Sequence, residues 1–409
     1  MSDRREVVVL GGGPAGATLA GLLAQAGRDV VLLERDSFPR FHIGESLLPM
    51  GIPVLERLGI DLAGGPWLRK AGAVFVQEGQ APRSVTFRFA EGLPGTIDHA
   101  YQVERAPFDL ALLERARALG VEVRQGVQVA EWVDEPEGPL LITTQDGLRG
   151  EVRARYGVDA SGQVAFLARR RRTMAPYRDF GRAAVFCHYE GLAPEPRAEM
   201  EADGNIRVFP SPHGWAWAIP LAGGKLSVGL VLNRSGLSPR SLELLRRDSP
   251  LIQRLTAGAS AGPPRMIGDF SFQNTRPYGP RWACVGDACC FLDPVFSSGV
   301  SLGLCGAATL ADALVPALTA GREDEPELLA PWRAHMERAY RTFAELIYRF
   351  YHTRMIENLF FGPQPLDHPL RRGIVSVLAG DVWRDDNPFQ EALLKPSRHG
   401  PIQPAGVGA

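Results

Sequence analysis

Apolar residues near the N-terminus fall into two short runs separated by a glycine-rich turn and a periodic stretch. Residues 7–10 read VVVL and residues 30–33 read VVLL. Short continuous runs of this kind are typical of strands buried on both faces. Residues 17–25 carry small and apolar side chains at helical spacing. The pattern predicts a strand, a tight turn, a helix and a second, parallel strand.

A second set of strands is indicated in the middle of the chain. Residues 87–103 and 184–192 are suitable strand segments, and residues 214–221 read GWAWAIPL. Because side chains of a strand alternate between its faces, Trp215 and Trp217 point to the same face. We expect the strands between residues 181 and 264 to form a mainly antiparallel sheet.

The C-terminal third is predicted to be helical. Residues 327–361 place apolar side chains at spacings of three and four, which indicates an amphipathic helix. Residues 371–383 predict one short helix, and residues 396–409 predict a disordered tail. Residues 295–319 carry a single charge, but their glycines, serines and Pro316 fit a buried helix better than a membrane span.

Composition and charge restrict the function. The 409 residues suffice for two or three fused subdomains, and the formal net charge of −1 gives no reason to expect nucleic acid or an acidic membrane as a partner. Five cysteines without a CxxC pair or a histidine at ligand spacing predict reduced thiols and no metal site. The N-terminus lacks the pattern of a signal peptide, so a soluble cytoplasmic protein is expected.

The turn after the first strand carries a dinucleotide-binding fingerprint. Gly11, Gly13 and Gly16 have the GxGxxG spacing between a predicted strand and a predicted helix. These glycines permit the turn, let the backbone approach a pyrophosphate and allow helix–strand packing. Glu34 ends the second strand, where a carboxylate accepts ribose hydroxyls. The fingerprint does not distinguish NAD from FAD.

Two later segments favour a flavin. Residues 154–169 predict a strand that delivers Asp159 into a turn, and residues 281–314 place Gly286-Asp287 between a strand and a long helix. With Arg105 in an Arg-x-x-Phe-Asp segment, the chain resembles the FAD-dependent aromatic hydroxylase superfamily. The resemblance implies that Asp287 contacts the ribityl chain of FAD and that the helix N-terminus faces the pyrimidine edge of the flavin. The residues that we assign to the cofactor are Gly11, Gly13, Ala15, Gly16, Glu34, Arg35, Gln102, Arg105, Asp159, Gly286, Asp287, Gly299 and Val300.

This resemblance implies an α/β fold with a discontinuous Rossmann-like FAD-binding domain of the aromatic hydroxylase type. We assign residues 1–80, 100–180 and 265–320 to that domain. Residues 81–99 and 181–264 form the inserted, mainly antiparallel β-sheet substrate domain, and residues 321–395 form a short helical C-terminal region. No second glycine fingerprint occurs, so a separate NAD(P)H domain is not expected.

Four motifs sharpen the resemblance. FHIGESLLP at 41–49, RKAGAVF at 69–75, WAWAIP at 215–220 and DPVFSSGV at 293–300 resemble flavin-dependent halogenases, and the likeness extends to about residue 355. The branch that it matches best acts on phenols and pyrroles. In this family reduced FAD and dioxygen give a C4a-hydroperoxide, which a halide attacks to form hypohalous acid.

The resemblance also assigns roles to individual residues. Lys70 would orient the hypohalous acid or be transiently halogenated, and Glu45 is available as a base. Backbone amides near Ser298 and Gly299 would bind the halide. A surface lysine, an ordinary helix cap and two core tryptophans are the structural alternatives. The residues expected to wall the tunnel between flavin and substrate are Trp215, Trp217, Ile219, Pro220 and Phe296.

Two departures from tryptophan halogenases bear on the substrate. Those enzymes place a glutamate directly before the serine pair, where this chain has Phe296. An apolar ring cannot act as a base, so a phenol or pyrrole is expected rather than tryptophan. The C-terminal portion is also shorter than theirs, which in this branch accompanies substrates tethered to an acyl or peptidyl carrier protein. The basic clusters at 169–172 and 371–372 are candidate carrier contacts.

The leading prediction is therefore an FAD-dependent halogenase supplied with reduced flavin by a separate reductase. Three alternatives remain. A single-component aromatic monooxygenase would oxidise NAD(P)H by itself, and a reductase of isoprenoid double bonds, resembling geranylgeranyl reductase, would bind a long lipid. A non-catalytic flavin-binding scaffold protein would bind FAD without turnover.

Overall fold

The computed structural model describes residues 3–177, 180, 182–233, 237–268, 271–362, 368–395 and 402. The strands are β1 (Asp3–Leu10), β2 (Val30–Glu34), β3 (Leu68–Lys70), β4 (Gly72–Gln77), β5 (Arg83–Arg88), β6 (Ala100–Gln102), β7 (Glu122–Gln125), β8 (Gln128–Glu135), β9 (Gly138–Gln145), β10 (Leu148–Asp159), β11 (Met174–Pro176), β12 (Arg182–Glu190), β13 (Ile206–Ser211), β14 (Gly214–Leu221), β15 (Lys225–Asn233), β16 (Ser260–Ala261), β17 (Arg265–Gly268), β18 (Phe272–Asn274), β19 (Tyr278–Gly279), β20 (Trp282–Cys284) and β21 (Cys290–Phe291). The α-helices are α1 (Pro14–Gln25), α2 (Ile52–Leu58), α3 (Arg105–Ala118), α4 (Phe166–Arg170), α5 (Pro194–Glu201), α6 (Arg240–Asp248), α7 (Pro250–Leu255), α8 (Ser298–Ala320), α9 (Ala330–His352), α10 (Pro369–Leu378) and α11 (Pro388–Leu394).

The first large sheet has the strand order β19-β20-β10-β1-β2-β7, and the β8–β9 hairpin adds to β10. The contacts of β1 with β2 and β10, and of β10 with β20, are parallel. Leu10 lies opposite both Leu33 and Asp159, so these strands end at the same edge of the sheet. A ligand site is expected at this edge of an open parallel sheet.

The second large sheet has the strand order β16-β12-β15-β14-β13-β4-β5, and β17 also pairs with β12. Its pairings are antiparallel except for β13 with β4. Phe186, Gly229 and Trp217 are register partners on three adjacent strands. These residues therefore lie in one row on one face of the sheet.

Helix α8 is the apolar segment between residues 298 and 320. It is long and apolar enough to cross a membrane, yet 67% of its most apolar window is buried inside the protein. Its neighbours include α1, α2 and α9, and the side chain of Trp332 on α9 donates a hydrogen bond to the carbonyl of Gly306 (3.1 Å). The helix is thus part of the protein core.

Two predicted domain boundaries differ from the structure. Strand β4 lies in the second sheet, paired with β5 and β13, although residues up to 80 were assigned to the FAD-binding domain. Strand β17 pairs with β12 in the same sheet, although residues from 265 onward were assigned to the FAD-binding domain. Strand partners are distant in sequence, so a local apolar pattern does not reveal which sheet a strand joins.

Two predicted elements also differ, and a third is not tested. Residues 87–103 do not form one strand, because β5 ends at Arg88, a 3₁₀ turn follows and β6 begins only at Ala100. The predicted helix 327–361 is α9 followed by a separate π-helical turn, Ile356–Phe360. The predicted tail 396–409 lies outside the described residues except for Ile402, whose amide donates to Glu345 Oε1 (3.0 Å).

Candidate functional site

A cavity of about 710 Å³ lies at the carboxyl ends of β1, β2 and β10. Gly11, Glu34 and Ala160 border it on the side of the first sheet. Phe186 and Trp217 border it on the side of the second sheet. The cavity therefore joins the predicted dinucleotide turn to the predicted tryptophan wall.

The glycine turn has the geometry of a phosphate cradle. Gly11 has a φ of 106°, and a methyl group on it would overlap the carbonyl of Ala160. A methyl group on Gly16 would overlap the carbonyl of Gly11. Gly13 is the N-cap of α1 and borders the cavity. The first amides of α1 are thus available to a pyrophosphate.

Glu34 is held rigidly at the end of β2. Its Oε2 accepts a hydrogen bond from the amide of Gly12 (2.7 Å), and its Oε1 accepts one from the amide of Asp36 (2.8 Å). The carboxylate is buried and borders the cavity, as does Arg35. This placement suits a carboxylate that accepts hydrogen bonds from ribose hydroxyls.

Asp287 and Arg105 border the middle of the cavity. Burial raises the pKa of Asp287 to about 6, although the charge of Arg105 and a hydrogen bond with Gln163 oppose this rise. The guanidinium of Arg105 is itself fixed, because it donates to the carbonyl of Ile43 (2.6 Å) and to Asp109 Oδ1 (2.7 Å). The site thus combines a carboxyl group whose ionisation is disfavoured by burial with a guanidinium that stays positively charged.

The N-terminus of α8 also opens onto the cavity. Ser297 caps the helix with a left-handed φ of 57°, and Gly299 and Val300 border the cavity with it. Ser298 is the first residue of the helix and is buried. The orphan amides of this turn and the helix dipole favour an anion or a partial negative charge.

The two tryptophans of β14 form one wall of the cavity. The ring centroids of Trp215 and Trp217 are 5.4 Å apart, and both side chains border the cavity. The Trp217 indole donates to Ser227 Oγ (3.2 Å) and lies across Gly229, where a methyl group would overlap the ring. Phe186 extends the wall, with its ring centroid 6.0 Å from that of Trp217.

Lys70 lies in the protein interior. Its side chain is 1% exposed, and its Nζ donates to Ser46 Oγ (2.8 Å) and to the carbonyl of Leu47 (3.0 Å). The ammonium also lies 5.3 Å from the ring centroid of Phe89. Burial lowers the pKa of Lys70 to about 7, so a substantial fraction of the amine is neutral at neutral pH. Ser46 borders the cavity, whereas Lys70 lies behind it.

His188 is a site residue that the sequence reasoning missed. Its Nε2 lies 2.6 Å from Glu45 Oε1, and Glu45 borders the cavity with 1% exposure. Period-two spacing was the available signal, because His188 follows Phe186 on the same face of β12, in register with Ser227. The predicted base therefore has an imidazole partner.

Comparison with known proteins decides the family. The sequence profile described as Tryptophan halogenase matches residues 6–96 and 88–364, which is most of the chain. The chain belongs to this halogenase family.

A relative and a solved structure agree with this assignment, and a second solved structure shares the fold. The halogenase is 29% identical to a 1H-pyrrole-2-carbonyl-[peptidyl-carrier protein] chlorinase of Pseudomonas fluorescens, over 94% of this chain and 91% of the relative. It is 30% identical to the myxobacterial chondrochloren halogenase CndH, with a TM-score of 0.75 and coverage of 97% and 98%. A flavoprotein/dehydrogenase from Cytophaga hutchinsonii superimposes with a TM-score of 0.87 at 28% identity, covering 95% of this chain and 96% of that one.

These findings confirm the predicted α/β fold, the flavin-dependent oxidoreductase class, the halogenase function and FAD as the cofactor. The residues of the cavity fit FAD, because the glycine cradle, Glu34 and the N-terminus of α8 all border it. Among the described residues, no group of three or more His, Cys, Asp or Glu side chains could hold a metal ion.

Asp159 and Gln102, which were both assigned to the cofactor, lie behind the cavity wall. Asp159 is fully buried, and its two oxygens accept from the amides of Ser161 (2.9 Å) and Leu167 (2.7 Å). Gln102 donates to the carbonyl of Gly204 (2.8 Å). Asp159 and Gln102 thus help to shape the turns that border the cavity, and their contact with FAD stays a prediction.

The remaining predicted residues divide in the same way. Ala15, Gly286 and Ile219 border the cavity, whereas Gly16, Pro220 and Ser298 support residues that do. Phe296 is also behind the wall, with its ring packed edge-on against Phe350 at a centroid distance of 5.7 Å. Phe296 thus packs between the cavity loop and α9, and its place in the tunnel between flavin and substrate stays a prediction.

Proposed function

We propose that this halogenase acts on an electron-rich aromatic ring, a phenol or a pyrrole. When bound, reduced FAD would supply two electrons to dioxygen, so that chloride or bromide is oxidised to hypohalous acid. The observation that carries the proposal is Phe296, which is buried where the resemblance to tryptophan halogenases places a catalytic glutamate. A phenol or pyrrole ring is electron-rich enough to need less assistance from a catalytic base when it loses its proton.

The arrangement of the site supports specific roles for its residues. The amides at Ser298 and Gly299 would hold the halide at the positive end of α8. Trp215, Trp217 and the ring of Phe186 would exclude water, so that hypohalous acid is not lost. The buried amine of Lys70 would accept the electrophilic halogen or orient the acid through a movement that exposes it past Ser46.

The partners are inferred from a relative and from the sequence. The name of the Pseudomonas fluorescens relative supports a pyrrole carried on a peptidyl carrier protein. The chain has no second glycine fingerprint, which supports delivery of reduced flavin by a separate reductase. A halide ion completes the reactants, and we place the reaction in the cytoplasm, where a reductase has access to NAD(P)H.

Product analysis with three substrates tests the proposal. The chain is supplied with FAD, a flavin reductase, NADH and either chloride or bromide. Pyrrole-2-carboxylate on a peptidyl carrier, free 4-methoxyphenol and free tryptophan are offered separately. We expect halogenated pyrrole or phenol and no halogenated tryptophan by mass spectrometry. NADH oxidation by the chain without the reductase, together with a hydroxylated product, would contradict the proposal.

A further inference from the structure

The predicted base, Glu45, is in direct contact with His188 on strand β12. Glu45 Oε1 and His188 Nε2 are 2.6 Å apart, and the carboxylate is 1% exposed. The other oxygen, Oε2, is buried and has no hydrogen-bond partner among the residues that the structure describes. A buried carboxylate oxygen without a donor is costly, so one that persists at a cavity wall indicates a functional contact.

His188 connects this carboxylate to a second cavity of about 250 Å³. Glu45 borders the large cavity and His188 borders the small one, while Phe41 and Phe186 border both. The small cavity is also bordered by three exposed residues, Glu190, Ser260 and Arg265. The pair therefore links the two cavities, and the small one reaches water at these three exposed residues.

We propose that Glu45 and His188 form a proton relay, in which Glu45 takes the proton that the aromatic ring releases and His188 passes it to the second cavity. The inference rests on the proposed function. It also accounts for the general base that Phe296 cannot supply. Glu45 is the catalytic residue, and His188 acts through it.

The proton balance of the halogenation defines what the relay must do. Attack of a ring carbon on hypohalous acid forms the carbon–halogen bond, breaks the oxygen–halogen bond and releases hydroxide. The ring then carries one positive charge. Glu45 takes the proton from the same carbon, and the electron pair of the carbon–hydrogen bond returns to the ring. Transfer of that proton through His188 to water restores the carboxylate, and its combination with the released hydroxide gives one molecule of water.

The charges around the pair suit this role. Burial is the largest single influence on the pKa of His188 and lowers it, but the hydrogen bond and charge of Glu45, together with the charge of Glu104, outweigh burial and raise the pKa overall. Lys225 opposes the rise and is itself paired with Glu104 (3.2 Å). The other charged or titratable groups near the pair, on the two cavity walls, are Glu190, Arg265, Arg105 and His42. The carboxylates thus favour the protonated form of the His188 imidazole, as a group that receives a proton from Glu45 requires.

A purely structural tether between the loop at residue 45 and β12 would behave differently. In His188→Gln the amide can still donate to Glu45 but cannot carry a proton. A tether would keep its function in that variant, whereas a relay would lose it. His213→Gln is the matched control, because His213 is exposed on the turn between β13 and β14.

Two measurements test the relay. The first is an NMR titration of the imidazoles in the protein without FAD, with His188 assigned from the spectrum of His188→Gln. We expect a raised pKa for His188 that falls in Glu45→Gln and is unchanged in His213→Gln. A His188 pKa that does not respond to Glu45→Gln would overturn the inference, whatever the activity.

The second measurement is the rate of product formation in a single turnover with unlabelled and ring-deuterated substrate. The probes are carrier-bound pyrrole-2-carboxylate and free 4-methoxyphenol. We expect equal rates for the wild type and His213→Gln. We expect rates lowered on the order of 100-fold, and slower still with deuterium, for Glu45→Gln and His188→Gln. Wild-type rates in His188→Gln would overturn the relay alone, whereas no halogenated product from the wild type would overturn the proposed function and the relay with it.

Discussion

The indole of Trp217 lies directly over Gly229, its register partner on β15. Only glycine at position 229 leaves space for the six-membered ring of Trp217, because a Cβ atom there would overlap it. The ring also donates to Ser227 Oγ, so both its plane and its direction are fixed. The tryptophan wall thus depends on two residues of the neighbouring strand.

Gly229→Ala should displace Trp217 and open the wall. Insertion of a methyl group into a packed core costs about 1–3 kcal/mol of unfolding free energy. We expect that loss in denaturant unfolding, together with fewer halogenated products per NADH consumed, because hypohalous acid escapes. The control is the double variant Gly229→Ala/Trp217→Phe, whose smaller ring removes the overlap. Equal destabilisation in the single and double variants would contradict the packing argument.

Lys70→Met should stabilise the protein at neutral and acidic pH while abolishing halogenation. The folded pKa of Lys70 is about 7, below the unfolded value of 10.5, so the unfolded state binds more protons between these values. The stability of the wild type therefore rises with pH across this window. Each pKa unit corresponds to about 1.4 kcal/mol, so the advantage of Lys70→Met amounts to a few kcal/mol near pH 7 and disappears toward pH 10.5. Unfolding of both proteins at several pH values measures this, and a difference independent of pH would contradict the burial of the amine.

Asp287→Asn should weaken FAD binding and stabilise the protein without FAD. Burial raises the folded pKa of Asp287 to about 6, so the folded state binds more protons than the unfolded state between about 4 and 6. The free energy of unfolding of the wild type therefore falls with rising pH across this window. In Asp287→Asn it does not fall for this reason, because the amide does not titrate. Loss of a hydrogen bond to a charged group should weaken FAD binding by roughly tenfold. Flavin fluorescence and thermal unfolding measure the two effects, with Asp146→Asn in an exposed turn as the control.

Tyr351→Phe should destabilise the loop that precedes α8. The Tyr351 hydroxyl donates to Asp293 Oδ2 (2.7 Å), and burial raises the pKa of this carboxyl to about 6. The variant removes a hydrogen-bond donor from a buried carboxylate, which costs about 1–3 kcal/mol. The loss should be larger at pH 8, where Asp293 is charged, than at pH 5, where it is protonated. Tyr348→Phe on the same helix is the control, and an equal loss in both variants would contradict the role of the hydrogen bond.

The sequence predicted those features that local pattern determines. The glycine spacing places Gly11, Gly13 and Gly16 in one turn, and strand alternation places Trp215 and Trp217 on one face. Both arrangements depend on neighbouring residues alone, so no knowledge of the folded chain was needed.

Features that depend on distant contacts could not be predicted in this way. The pairing of His188 with Glu45 joins residues 143 positions apart. The burial of Lys70 results from packing against Ser46 and Phe89, and Asp159 is satisfied by amides of the turn that follows it. A side chain of suitable chemistry can thus be identified from sequence, but whether it borders a cavity or supports its wall requires the fold.

A single turnover tests the central claim most directly. The chain is loaded with anaerobically reduced FAD and mixed with oxygenated buffer that contains 4-methoxyphenol or carrier-bound pyrrole-2-carboxylate, with and without bromide or chloride. We expect a halogenated product only when halide is present, and none from Lys70→Met. A hydroxylated product that forms equally well without halide, in both the wild type and Lys70→Met, would contradict it.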